Sequence, residues 1–247
     1  MTFELEICVN SIRSALAAEF GGADRIELCD NMAEGGTTPS AGMVLQCKQL
    51  LSIPVFPIIR PRGGDFLYSD EEFQVMKQDI AFCKGAGCEG VVIGMLNADG
   101  HIDTARCKEL LEIASPMQVT FHRAFDRCND LEQGLEDIIS LGCQRVLTSG
   151  GHVSAADALE TLTSLVKQAG DRIAIMAGSG VTEDNITLIA GKTGAKQFHS
   201  TAKTSSGSAM EYRATGDLAQ QDGGFEIMET SSARVQKMKQ ALNAFFQ

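Results

Sequence analysis

Residues 3–9, FELEICV, and residues 24–29, DRIELC, decide the fold. Each is a short run of alternating apolar and polar side chains, the signature of a strand with two unlike faces. Leu5, Ile7 and Val9 form one face of the first run, and Ile26 and Leu28 one face of the second. Glu4, Glu6 and Cys8, with Arg25, Glu27 and Cys29, are left for the other face. Six more β-rich runs follow, near 54–60, 90–96, 118–124, 144–149, 172–178 and 196–201, and the eight start about 28 residues apart. That is the spacing of β/α units.

Helical stripes fill the gaps. Residues 11–20 carry Ile12, Leu16 and Phe20, and residues 70–84 carry Phe73, Met76, Ile80 and Cys83 at helical spacing. Ser69 followed by Asp70, Glu71 and Glu72 reads as a helix start, since acidic groups suit the first turn. Further helices are expected at 103–114, 131–141, 154–169, 182–193 (opened by Thr182, Glu183 and Asp184) and 231–246. Eight alternations without a linker predict one α/β domain over 1–247, a single (β/α)8 TIM barrel, with a doubly wound sheet as the structural runner-up. The polar, Gly/Ser-rich stretch 203–228 breaks the rhythm and reads as a long, mobile loop before the C-terminal helix.

Composition narrows the function. Among 247 residues, 32 are acidic and 21 basic, a net charge of −11. Such a balance argues against binding a nucleic-acid backbone or an anionic membrane surface. The start, MTFELEICVN, has no basic segment leading an apolar run, and no apolar run is long enough to span a bilayer, so a cytoplasmic chain is expected. The eight cysteines contain no CxxC pair, which supports neither a disulfide scaffold nor a paired-motif zinc site.

In a barrel, strand parity places Glu6, Cys8, Arg25, Glu27, Cys29, Thr120, His122, Gln197 and His199 in the lumen. Two readings stay open. These groups form an ion-pair network that closes the barrel, or they form a polar pocket at its C-terminal mouth, where active sites of this fold sit. Clustering at strand ends favours the pocket. For an enzyme acting on a small anionic or phosphorylated metabolite, Glu6, Glu27, His122, Asp126 and His199 are the acid/base candidates, with Asp126 expected to orient His122. Arg60, Gly178, Gly180 and Ser200 are the anion-binding candidates, the last three at the strand 7/8 position that binds phosphate in many barrels. Cys8 and Cys29 end neighbouring strands and could lie side by side, either as packed core thiols or as soft ligands for Cu(I).

The blocks LEICV, GGADRIELC, EGGTTPS, PIIRPRGGDFLYSDEEFQVMKQDI, DGHID, VTFHRAFD, RVLTSGG and FHSTA, in this order from about residue 5 to 201, resemble the CutC copper-homeostasis family. The resemblance implies a cytoplasmic TIM barrel linked to copper handling, and a homo-oligomer, dimer or tetramer. It also implies Cu(I) ligands at Cys8 and Cys29 and a lumen set of Glu6, Glu27, Arg60, His122, Asp126 and His199. The polar mouth is more elaborate than a two-thiol copper site requires, so the enzymatic alternative is carried alongside.

Overall fold

The computed structural model describes residues 2–212 and 225–247. Eight strands form one parallel sheet: β1 (Glu4–Val9), β2 (Arg25–Leu28), β3 (Val55–Pro57), β4 (Gly90–Ile93), β5 (Gln118–Phe121), β6 (Arg145–Thr148), β7 (Ala174–Ala177) and β8 (Gln197–Ser200). Each pairs with its sequence neighbour, and β1 pairs with β8. The last seam closes where Ile58 bridges Val92 and the Ile59 N–H donates to the Val92 carbonyl at 2.7 Å. The result is a TIM-type barrel.

Parity holds as the sequence predicts. Leu5, Ile7, Val9, Ile26, Leu28, Val119, Phe121 and Phe198 all belong to the core between sheet and helices. Cys8, Cys29, Phe56, Ile58 and Val92 form a separate small cluster inside the ring. The outer layer consists of α1 (Ile12–Phe20), α2 (Ala41–Leu50), α3 (Asp70–Gly85), α4 (Thr104–Ala114), α5 (Leu131–Leu141), α6 (Leu159–Ala169), α7 (Ile186–Thr193) and α8 (Ser232–Phe246). α3 starts on the expected signal: Ser69 and Glu72 satisfy each other's backbone N–H groups in a capping box.

Four expectations need correction. First, α2 is a helix that the apolar periodicity does not announce, because it buries only Val44 and Cys47 and leaves Leu45 and Leu50 exposed. Second, α1 turns its small residues inward. Ala15 and Ala18 are buried, while Leu16 is half-exposed and Phe20 lies in solvent. Small residues suit this end of the helix because α8 passes close by: a side chain at Gly21 would overlap Val235 and the Ser232 carbonyl. Third, α7 begins at Ile186 rather than Thr182. The Asn185 side chain accepts from the Thr182 N–H at 2.8 Å and donates to the Gly180 carbonyl at 2.8 Å, which folds 180–185 into a turn. The segment 154–169 is likewise split, with a short 3₁₀ turn at Ala155–Asp157 before α6.

Fourth, both ends of the supposed 203–228 loop are strand. Lys203–Gly207 (β9) pairs antiparallel with Glu226–Thr230 (β10) from Lys203–Thr230 to Gly207–Glu226. This ribbon extends directly from the end of β8, and residues 213–224 lie outside the described residues. No helix among the described residues is long and apolar enough to cross a membrane.

Candidate metal and ligand site at the barrel mouth

The lumen is built in two storeys. Glu4, Arg25, Gln118, Arg145 and Gln197 are the first residues of β1, β2, β5, β6 and β8, so they share the N-terminal end of the barrel. Arg25 bonds to Glu4 and Glu6 and donates to Gln197 Oε1 at 3.0 Å. Arg145 donates to Gln118, to Thr120 Oγ1 at 3.2 Å and to Gln197 Oε1 at 3.3 Å. The two guanidinium groups sit over the Phe56 ring, 5.6 and 5.1 Å from its centre. Buried charges are tolerated when paired and hydrogen-bonded: Arg25 has both kinds of partner, and Arg145 has its hydrogen bonds.

One layer higher, register sets the site. Cys8 lies opposite Glu27 across β1 and β2, and Glu6 lies opposite His199 across β1 and β8. His199 Nδ1 is 2.8 Å from Glu6 Oε1, and its Nε2 is 3.5 Å from Glu27 Oε2. Cys8, Glu27 and His199 each offer a ligand atom, and these atoms lie within 4.8 Å of one another. Cys29 follows β2, and its Sγ is 3.3 Å from Cys8 Sγ. A third sulfur, Met32 Sδ, lies 3.6 Å from Cys8 Sγ. Sequence reasoning missed Met32; a thioether three residues beyond a candidate ligand thiol was the available signal.

Protonation follows from this packing. Burial opposes ionisation of Glu6, but Arg25 and His199 outweigh it and hold the carboxyl at about 2. The hydrogen bond from Cys29 lowers the Cys8 thiol to about 5 against the opposing effect of burial, and His199 adds to the lowering. Cys29 is pushed well up, first by that shared hydrogen bond and then by burial. Burial and the neighbouring Cys8 charge raise Glu27 well above the usual carboxylate range. His199 is raised well above the ordinary imidazole range despite burial, by its bonds to Cys8 and Glu6 and by the two carboxylates. At neutral pH these shifts favour a Cys8 thiolate and a Glu6 carboxylate around a histidinium, with Cys29 holding its proton and Glu27 drawn toward its protonated form.

Cys8, Glu27, Met32 and His199 form the floor of a cavity of about 560 Å³. Its walls bring in Arg60, Phe66, His122, Gly180 and Ser200. His122 Nδ1 accepts from the Ala124 N–H at 3.1 Å, so its proton sits on Nε2, which is buried without a hydrogen-bond partner. Burial, with the nearby Arg60 charge, lowers His122 to about 3 and keeps the ring neutral.

Not every expected partner converges. Asp126 does not orient His122: its carboxylate accepts from Thr148 Oγ1 at 2.6 Å, from Ser149 and Gly151 N–H groups at 3.1 Å, and from Arg123 at 2.7 Å. It braces the β6 loop instead. The Gly178 N–H is used by the Thr148 carbonyl at 2.9 Å, and Ser200 Oγ donates to the Val181 carbonyl at 2.7 Å. Arg60 gives its terminal nitrogens to the carbonyls of Glu34, Gly36 and Gly64 at 2.7–2.9 Å. It frames the cavity by holding two loops together. Sequence reasoning also missed the rim cations Arg127, Lys203 and Arg234, which line the same cavity as Arg123. Lys203 enters as the first residue of β9, just beyond the end of β8.

Comparison with known proteins agrees with this picture. Residues 3–204 match the CutC family. A CutC-family protein of Chromobacterium violaceum is 47% identical over 241 residues, covering 97% of this chain and 98% of the relative. The human copper homeostasis protein cutC homolog is 50% identical over 211 residues, covering 85% of this chain and 77% of its own. A solved structure of a copper homeostasis protein CutC from Streptococcus agalactiae superposes with a TM-score of 0.78 at 35% identity, covering 81% of this chain and 99% of that one. With the barrel, the lumen parity and the matched length in agreement, the chain belongs to the CutC family.

Proposed function

We propose that this protein binds Cu(I) through Cys8 and Cys29 at the floor of the barrel mouth, with Met32 as a third sulfur donor, in the service of copper homeostasis. The observation that carries the reading is the sulfur cluster: two thiol sulfurs 3.3 Å apart, with a thioether sulfur 3.6 Å from one of them. Thiolate and thioether donors select Cu(I) over hard cations. Cys8 is held as a thiolate by Cys29 and His199, so one ligand is ready at neutral pH, and capture by the second releases the Cys29 proton. His199 and Glu27 surround the thiolate and hold it in place. The names of the relatives, which refer to copper homeostasis in two cases, point the same way.

The same reading places the protein in the cytoplasm, where a reducing environment keeps thiols free, as all eight are here. It assembles there as a homo-oligomer, with Leu16 and Phe20 on the exposed side of α1 available for contact. The enzymatic alternative draws less support: Asp126, Gly178, Ser200 and the Arg60 terminal nitrogens are committed to the scaffold, and His122 is held neutral.

Anaerobic competition against a chromogenic Cu(I) chelator tests the proposal. Wild type is expected to withdraw one Cu(I) per chain, and Cys8→Ser or Cys29→Ser to lose about 3 kcal/mol of affinity, roughly a hundredfold. Equal affinity in the variants would overturn the assignment.

A further inference from the structure

The cavity above the sulfurs is far larger than an ion needs. Its volume of about 560 Å³ falls in the range that holds small organic molecules. Its rim is also of the wrong sign for a bare cation. Arg123, Arg127, Lys203 and Arg234 line it, in a chain whose net charge is −11. Arg123 is paired with Asp126 and Arg234 with Glu183. Arg127 and Lys203 are exposed and have no acidic partner among the described residues. The acidic groups on the wall are Glu27, on the floor, and Glu34, whose Oε2 accepts from Asn31 at 2.6 Å. A concave mouth lined by one sign of charge draws ligands of the opposite sign and repels its own. Unlike the buried lower-storey arginines, these cations lie where a ligand enters.

The orphaned His122 adds a second signal. A neutral imidazole with its Nε2–H buried and unpartnered on the cavity wall is a donor awaiting an acceptor oxygen. The Phe66 ring packs 5.1 Å from it, on the loop that follows β3.

We infer that copper reaches and leaves this site as a complex with a small anionic thiol, whose carboxylates dock on Arg127 and Lys203 while its metal–thiolate end reaches Cys8. The inference rests on the Cu(I) reading and extends it to the carrier. The exchange balances without redox chemistry. Two bonds from Cu(I) to carrier sulfur break, and bonds to Cys8 and Cys29 form. The Cys29 proton passes to one departing carrier thiolate, the other leaves as thiolate, and copper stays Cu(I). The rim cations hold the carrier during the exchange and then retain or release it according to its charge.

The test is stopped-flow transfer of Cu(I) from two carriers with the same donor atom and opposite charge: reduced glutathione, which is anionic, and cysteamine, which is cationic. Wild type and the double variant Arg127→Gln, Lys203→Gln are compared at low and high salt. Wild type is expected to load about tenfold faster from glutathione than from cysteamine at low salt, and salt should erode that preference. The double variant should reduce it to about threefold or less, with equilibrium Cu(I) affinity unchanged. A preference that survives the double substitution, or loading rates indifferent to carrier charge, would overturn the inference while leaving the sulfur site standing. Failure of wild type to take up Cu(I) from either carrier at equilibrium would overturn the copper reading, and the carrier with it.

Discussion

The two storeys of the lumen use similar residues for opposite ends. In the lower one, Arg25 and Arg145 are tied to Glu4, Glu6, Gln118, Thr120 and Gln197, and both guanidinium groups pack on the Phe56 ring. Arg25 is ion-paired there and Arg145 is hydrogen-bonded to three neutral side chains, and little is left for a ligand. In the upper one, Cys8, Cys29, Glu27, His199 and His122 are crowded so that several protonation states are displaced, and His122 Nε2 is left unpaired. Burial alone therefore does not mark function. A buried polar group that satisfies its neighbours closes the barrel, and one that is held away from its ordinary protonation state above an open cavity is prepared for chemistry. Glu6 belongs to both storeys, since one carboxylate oxygen meets Arg25 and the other His199.

Removing a lower-storey charge should have the largest effect. Arg25→Met removes the guanidinium from Glu6 and Glu4, leaving buried Glu6 only its His199 contact, and is expected to cost about 3–5 kcal/mol in urea unfolding. Cys8→Ser, which leaves the lower network intact, should cost about 1 kcal/mol or less. Comparable losses for both would erase the distinction between the storeys.

Steric probes should repeat that ranking on a smaller scale. A methyl group at Gly90 would overlap the Phe56 ring, and one at Gly94 would overlap the His122 ring. Phe56 is buried and packs against both guanidinium groups, so it has little room to yield and Gly90→Ala should cost about 3 kcal/mol. His122 borders the cavity and can move, so Gly94→Ala should cost about 1 kcal/mol. A reversed order in thermal or urea unfolding would mean that the upper storey is the rigid one.

Much of this was legible in the sequence because strand parity is a local property. FELEICV and DRIELC announce which side chains enter the lumen, and Leu5, Ile7, Ile26 and Leu28 lie outside it as expected. Partner choice is not local. Asp126 and His122 are four residues apart, yet β6 arrives beside Asp126 and takes its carboxylate. The β9–β10 ribbon was hidden for a related reason: KTSSG and EIMET have no shared apolar face, and pairing with each other fixes them as strands. Met32 and Lys203 join the site through loop and ribbon geometry that no periodicity encodes.

The storeys should also separate in their response to pH. Glu6 is lowered to about 2 in the folded chain from an ordinary value of 4.5, so it favours the folded state above about pH 4.5. That contribution should fade as the pH falls from there toward 2, read as an acid-side loss of urea resistance that is absent in Glu6→Gln. Cys8, lowered to about 5, should alkylate at a rate nearly independent of pH between about 8 and 6 and should slow below about pH 5. An ordinary thiol profile, rising through pH 8 to 9, would contradict the proposed thiolate.

X-ray absorption at the copper K-edge, on protein loaded anaerobically with one Cu(I), tests the central claim most directly. The account predicts a first shell of two or three sulfurs with no nitrogen or oxygen, lost in the Cys8→Ser, Cys29→Ser double variant. A first shell of nitrogen or oxygen in the wild type, or a sulfur shell that persists in the double variant, would contradict it.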